Sequence, residues 1–184
     1  MPIYNINKLF DYMYINNNKS LTLNKKSDNY KEFLKKNNLM KEKIIKKMAD
    51  NINDEFIEKI CKDKLNKFLV HSMDCTIGSN ITSIIVYRKY NNKSNVRLII
   101  LLMAVHPKLR NFGYGNILLD EFIDFYSNKS NKLDIYLHSL ESSLYFYLKY
   151  GFYQISRNNF LQSYEGWDDN INNEKLLLHY SKCT

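Results

Sequence analysis

The chain is poor in the residues that punctuate a polypeptide, with two prolines and five glycines in 184 residues. That excludes a Pro/Gly-rich linker or low-complexity tract, and it makes the position of each glycine informative. Cysteine is scarce as well. Cys61, Cys75 and Cys183 are odd in number, far apart and without a C-x-x-C pair, which argues against a disulfide frame or a zinc site and for reduced thiols. Long hydrophobic runs are missing: the longest, Leu98 to Val105, is too short to span a bilayer, and Met1 to Phe10 lacks the basic-then-apolar order of a secretory signal. A cytoplasmic protein with no membrane partner and no metal is the expectation.

Apolar residues make up 45% of the chain, enough for a substantial core in one domain. The formal charge is +8 and the pI about 9.2, values that raise the question of a nucleic-acid partner. Its lysines, however, are spread through Lys25 to Lys67 on solvated helix faces and form no stripe interleaved with aromatics. Charge alone therefore gives nucleic-acid binding little support. The isolated histidines His71, His138 and His179 show no metal-ligand spacing.

The most informative stretch runs from Asn95 to Tyr126. Leu98 to Val105 is a β-favouring apolar run that reads as a strand buried on both faces, and Pro107 stops it. Arg110, Gly113 and Gly115 follow. Beyond them Ile117, Leu118, Phe122, Ile123 and Tyr126 recur at helical spacing against Asp120, Glu121 and Asp124. A helix whose first turn follows such a glycine turn presents unpaired N–H groups and the positive end of its dipole, so an anion fits there. The pattern is R-x-x-G-x-G, which is neither the Walker motif nor the dinucleotide fingerprint.

Around this centre the pattern predicts a mixed α/β sheet of about six or seven strands with flanking helices. Ile3 to Ile6 reads as a short strand, and Leu9, Phe10, Met13 and Tyr14 fall at helical spacing. Two or three helices follow between Asp28 and Leu65, broken at Asn37-Asn38 and at Asn51 to Asp54. Phe68 to Met73, Ile81 to Tyr90 and the central strand form a meander. Lys132 to Leu140 reads as a strand parallel to the central one, because a helix crosses over between them. Ser142 or Ser143 caps a helix ending at Tyr150, with Gly151 in the left-handed position. Phe152 to Ser156 and Glu174 to Lys182 complete the sheet around the polar segment Asn158 to Asn173.

Val105-His106-Pro107, then Arg110-Asn111-Phe112-Gly113-Tyr114-Gly115, and downstream Phe146, Tyr147, Gly151 and Phe152 together resemble the signature of the GNAT superfamily of N-acetyltransferases. The resemblance covers roughly Phe68 to Tyr153. It implies a GNAT fold in which residues 1–66 serve the acceptor side and 67–184 form the acetyl-CoA-binding core. It also implies that Met103, Ala104 and Val105 pair with the pantetheine arm. The backbone N–H groups of Asn111, Phe112, Gly113, Tyr114, Gly115 and Asn116 would hold the diphosphate, with Arg110 adding a charge-assisted bond. Tyr147 stands in the register of the family's general acid, and a backbone donor near Val105 would stabilise the oxyanion. The reaction implied is direct attack by a primary amine, carried by a small molecule or peptide, on acetyl-CoA in a ternary complex, by a monomer or homodimer.

No general base is readable, since Leu98 to Val105 holds no carboxylate, and Asp134 and Glu141 are out of register. His106 is assigned a structural or solvent-facing role, and Glu165, Trp167 and Asp168 a surface loop. Asn111 replaces a glycine common in the family, and Leu140 a common asparagine. A catalytically silent CoA-binding module is thus the alternative, with a basic nucleic-acid-binding protein the third reading.

Overall fold

The computed structural model of the chain describes residues 3–5, 28–49, 52–72, 81–92, 95–128, 131–156, 158 and 176–183. Its elements in order are β1 (Ile3–Asn5), α1 (Asp28–Met48), α2 (Asp54–Lys62), β2 (Asn66–Ser72), β3 (Ile81–Asn92), β4 (Asn95–Val105), a 3-10 turn (Pro107–Leu109), α3 (Tyr114–Ser127), β5 (Lys132–His138), α4 (Glu141–Tyr150), β6 (Tyr153–Gln154) and β7 (Leu177–Cys183). The seven strands form one mixed sheet in the order β1-β2-β3-β4-β5-β7-β6. Helix α3 is the crossover that makes β4 and β5 parallel, with Asn95 opposite Lys132 and Ile100 opposite Leu137. Beyond that ladder β4 continues through Leu101–Val105, where the side chains are half-buried rather than buried as the apolar run suggested. No described helix is long and apolar enough to cross a membrane.

At α1 and α4 the boundaries differ from the pattern-based expectation for physical reasons. Helix α1 runs unbroken through Asn37-Asn38, a pair whose weak helix propensity costs only about 1 kcal/mol in total against a stripe that holds Ile44, Ile45 and Met48 in the core. Helix α4 is capped by Leu140 with no side-chain hydrogen bond, so Ser142 and Ser143 lie inside its first turn. Gly151 does close it in the left-handed region, at φ 109°, with its N–H on the Leu148 and Tyr147 carbonyls. The spacing of Leu9 to Tyr14 and nearly all of Asn158 to Asn173 lie outside the described residues.

The chain forms two compact units, Met1–Val86 with Leu102–Glu121, and Tyr87–Leu101 with Phe122–Thr184. In the first, Ile45 and Met48 of α1, Ile57 and Ile60 of α2, Phe68 and Val70 of β2, Ile84 and Ile85 of β3 and Leu118 of α3 are buried. Lys41 belongs to the same core: its stem is buried and its Nζ sits 4.6 Å from the Phe68 ring centroid, an arrangement that keeps a cation in contact with a π face.

In the second unit β5 pairs antiparallel with β7 along its whole length, Lys132 opposite Cys183 and His138 opposite Leu177. An aromatic group of Tyr87, Phe122 and Tyr126 packs edge to face, with centroids 4.9, 5.8 and 5.4 Å apart. The Tyr87 and Tyr126 hydroxyls, both buried, meet at 2.7 Å. Burial pushes both phenols up, so neither ionises at neutral pH and one donates to the other. Tyr126→Phe leaves the Tyr87 hydroxyl without that partner and should cost about 1–3 kcal/mol, whereas the Tyr87→Phe/Tyr126→Phe double variant should cost less than the sum of the singles. Urea unfolding of the four proteins in the cycle measures this.

Candidate functional site

Strand β4 ends where the sequence predicts, and the reason is visible in the hydrogen bonds. The His106 N–H donates to the Thr82 carbonyl at 2.8 Å, the Leu109 N–H returns to the His106 carbonyl at 2.8 Å, and Pro107 takes the first position of the 3-10 turn, where no N–H is needed. The His106 ring caps that turn, its Nδ1 accepting from the Lys108 N–H at 3.3 Å. A capping histidine fits the structural role assigned to it.

After this turn the backbone enters the left-handed region twice, at Asn111 with φ 67° and at Gly113 with φ 85°. Asn111 is the one non-glycine residue at positive φ among the described residues, and asparagine tolerates that conformation better than other side chains do. The replacement of a glycine at 111 is therefore compatible with the conformation required. A Cβ on Gly113 would meet nothing within 4 Å, so glycine is needed here for its backbone angle, and the space above it is open. The first intrahelical bond of α3 runs from the Ile117 N–H to the Gly113 carbonyl at 3.1 Å. The N–H groups of Tyr114, Gly115 and Asn116 therefore have no acceptor inside the helix.

Arg110 stands beside this turn, and its guanidinium is oriented by main-chain carbonyls: Nε donates to Val105 and Nη2 to Met48, each at 3.3 Å. Met48 ends α1, so the cation also faces the negative end of a helix dipole. Arg110 thereby ties the end of β4 and the end of α1 to the turn while keeping its positive charge there. Open space over Gly113, three helix N–H groups and a fixed cation together make a place that suits an anion. Met103, Ala104 and Val105 lie half-buried in the same unit, at the end of β4, and Phe112 is exposed.

A buried polar group adjoining α3 was not legible in the sequence. His71, set aside there as isolated, is fully buried with its Nδ1 2.6 Å from Thr82 Oγ1. The Thr82 hydroxyl donates to the His71 carbonyl at 3.2 Å, so His71 Nδ1 carries the proton of their contact and Nε2 is left as a bare acceptor. Burial lowers the His71 pKa despite the opposing pull of Glu121, and the ring lies 6.3 Å from that of Tyr114, the first residue of α3. His71 Nε2 and Glu121 Oε2 are buried with no hydrogen-bond partner among the described residues. Thr82 thus serves both the buried histidine and the end of β4. Strand register could have paired His71 with Thr82; sequence spacing could not.

Tyr147 lies in the other compact unit, on α4. Its ring is buried between Phe146 and Phe152, at centroid distances of 5.0 and 5.4 Å, and burial raises its pKa above the usual tyrosine range. No hydrogen bond to its hydroxyl is found among the described residues. Asp134 is engaged by Lys132, Ser181 and His179, Glu141 is exposed in the first turn of α4, and His138 is exposed at the end of β5. Glu165, Trp167 and Asp168 lie outside the described residues. No described cluster of His, Cys, Asp or Glu has three members placed to hold a metal ion.

Comparison with known proteins adds the family. The domain family described as an acetyltransferase (GNAT) domain matches residues 29–163. Among solved structures the chain is similar to Tetrahymena GCN5, with a TM-score of 0.57, 16% identity, and coverage of 85% of this chain and 91% of that one. It is also similar to a GNAT-family acetyltransferase from Staphylococcus aureus, with a TM-score of 0.50, 23% identity, and coverage of 84% and 94%. No curated protein matches in sequence.

The left-handed pair makes a graded prediction. Asn111→Gly should leave CoA affinity within about threefold, because glycine reaches the same angle, whereas Gly113→Val forces a β-branched side chain to positive φ at roughly 1–2 kcal/mol and should weaken binding about tenfold or more. Isothermal calorimetry with CoA measures both.

Proposed function

The chain belongs to the GNAT acetyltransferase family, which transfers acetyl groups from acetyl-CoA, and we propose that it is an active N-acetyltransferase acting on a primary amine of a small molecule or peptide. The observation that carries this reading is the turn from Arg110 to Asn116, whose left-handed residues and unpaired helix N–H groups suit a diphosphate. Acetyl-CoA supplies the activated thioester. In this reading the main chain of Asn111, Phe112, Gly113, Tyr114, Gly115 and Asn116 holds the diphosphate, Arg110 adds its positive charge, and the main chain of Met103, Ala104 and Val105 holds the pantetheine arm. Arg110 keeps the turn in shape through Val105 and Met48. Tyr147 is the general acid for the departing thiolate, a role supported by a phenol that burial keeps protonated at neutral pH.

Deprotonation of the amine is assigned to water. The strand β4 carries no carboxylate between Leu98 and Val105, and Asp134 is held in its own network. Without an enzyme base near neutrality, kcat/KM should climb with pH until the acceptor amine itself deprotonates, near ~10.4 for a lysine-like amine.

A panel of peptides, polyamines, aminoglycosides and arylalkylamines assayed with acetyl-CoA tests the proposal. Turnover of at least one is expected, and Tyr147→Phe should lower kcat by about 10²-fold while leaving CoA affinity unchanged. CoA binding without turnover of any amine would instead favour the silent CoA-binding reading.

A further inference from the structure

The geometry points to a second site of covalent chemistry: Tyr153, backed by His179 and Asp134, is an acyl-accepting phenol for small activated acyl donors such as thioesters and acyl-imidazoles. All of its members belong to one compact unit. Strand pairing sets Tyr153 of β6 opposite His179 of β7, His179 opposite Tyr136 of β5, and Asp134 opposite Ser181. The Tyr153 hydroxyl lies 2.5 Å from His179 Nδ1, and His179 Nε2 lies 3.0 Å from Asp134 Oδ1. That is the nucleophile, base and orienting carboxylate relation of an activated hydroxyl.

Proton positions follow from the partners. Burial disfavours the Asp134 charge, but hydrogen bonds from Ser181 at 2.8 Å and from Lys132 and His179 outweigh it and hold the carboxyl below its usual range. An ionised carboxylate only accepts, so His179 Nε2 carries the hydrogen of their contact. Burial also lowers the His179 pKa against the pull of Asp134, with Lys132 and Arg97 acting in the same direction as burial. The imidazole is therefore neutral, its Nδ1 is bare, and the Tyr153 hydroxyl donates to it. The ring is fixed in plane by Tyr136, stacked at 4.3 Å and 5°, and the Arg97 guanidinium stands 5.9 Å from the Tyr136 centroid. Tyr153 itself is 49% exposed, which leaves the phenol within reach of a small acyl donor.

In the step, the phenol oxygen attacks the acyl carbon, a C–O ester bond forms, and the bond from that carbon to sulfur or imidazole nitrogen breaks. The phenol proton passes to His179 Nδ1, where Asp134 stabilises the imidazolium, and then to the departing thiolate or imidazole. No other reactant is needed. This chemistry requires neither CoA binding nor an amine acceptor, so it stands or falls apart from the transferase reading.

N-acetylimidazole applied to the full chain, with peptide mass spectrometry of each tyrosine, is the test. The internal reference is Tyr145, which is 76% exposed and has no hydrogen bond among the described residues. Tyr153 should be O-acetylated about tenfold or more faster than Tyr145, since a positioned base contributes about 10²–10⁴-fold. That advantage should vanish in His179→Asn and fade as the pH falls and His179 Nδ1 becomes protonated. Equal rates at Tyr153 and Tyr145 in the parent protein, or an advantage that survives His179→Asn, would overturn the assignment.

Discussion

Tyr114, Gly115 and Asn116 have N–H groups with no acceptor in their own helix, because the bonding of α3 begins at Ile117. Every other feature of the turn follows from keeping those donors available. A side chain at Gly113 would have to adopt positive φ, and Asn111 already does so at the lowest cost open to a residue with a Cβ. The His106 N–H still donates to the Thr82 carbonyl, Pro107 then opens the 3-10 turn that ends β4, and Arg110 uses two carbonyls to hold strand end, helix end and turn together. An anion at such a point gains several hydrogen bonds and a favourable dipole without any ordering of long side chains.

Much of this could be read from residue types alone. Pro107 ends a strand, Gly113 opens a turn, and the spacing from Ile117 to Tyr126 defines a helix, so strand, turn and helix were legible as a unit. The same applies to Gly151, whose left-handed angle closes α4. The misreadings have physical causes. Asn37-Asn38 looked like a break because propensity was weighed without the burial of Ile44, Ile45 and Met48, and Ser142 and Ser143 looked like caps because their residue type favours that place while the chain had already turned at Leu140.

The polar groups were the least legible part. His71 and Thr82 lie eleven residues apart, and Asp134 and His179 forty-five apart, so no local spacing announces either pair. They meet because neighbouring strands bring them together, Asp134 and His179 as a diagonal pair two residues out of direct opposition, and register is fixed by the whole sheet rather than by any local segment. The same register stacks Tyr136 on His179 and sets Ser181 beside Asp134, which makes one strand pair responsible for a complete polar network. Chemistry carried by strands is in this respect harder to foresee than chemistry carried by a turn.

The central claim is that main-chain donors at the start of α3 bind the diphosphate of CoA. Calorimetric titration of the same protein with CoA and with pantetheine, which shares the thiol arm and lacks the diphosphate and its adenosine 3′-phosphate, tests it most directly when adenosine 3′-phosphate is titrated alongside to account for the nucleotide. The account predicts that CoA binds at least about a hundredfold more tightly, as expected for losing two charge-assisted hydrogen bonds of roughly 1.5 kcal/mol each. Equal affinities for the two ligands would contradict it.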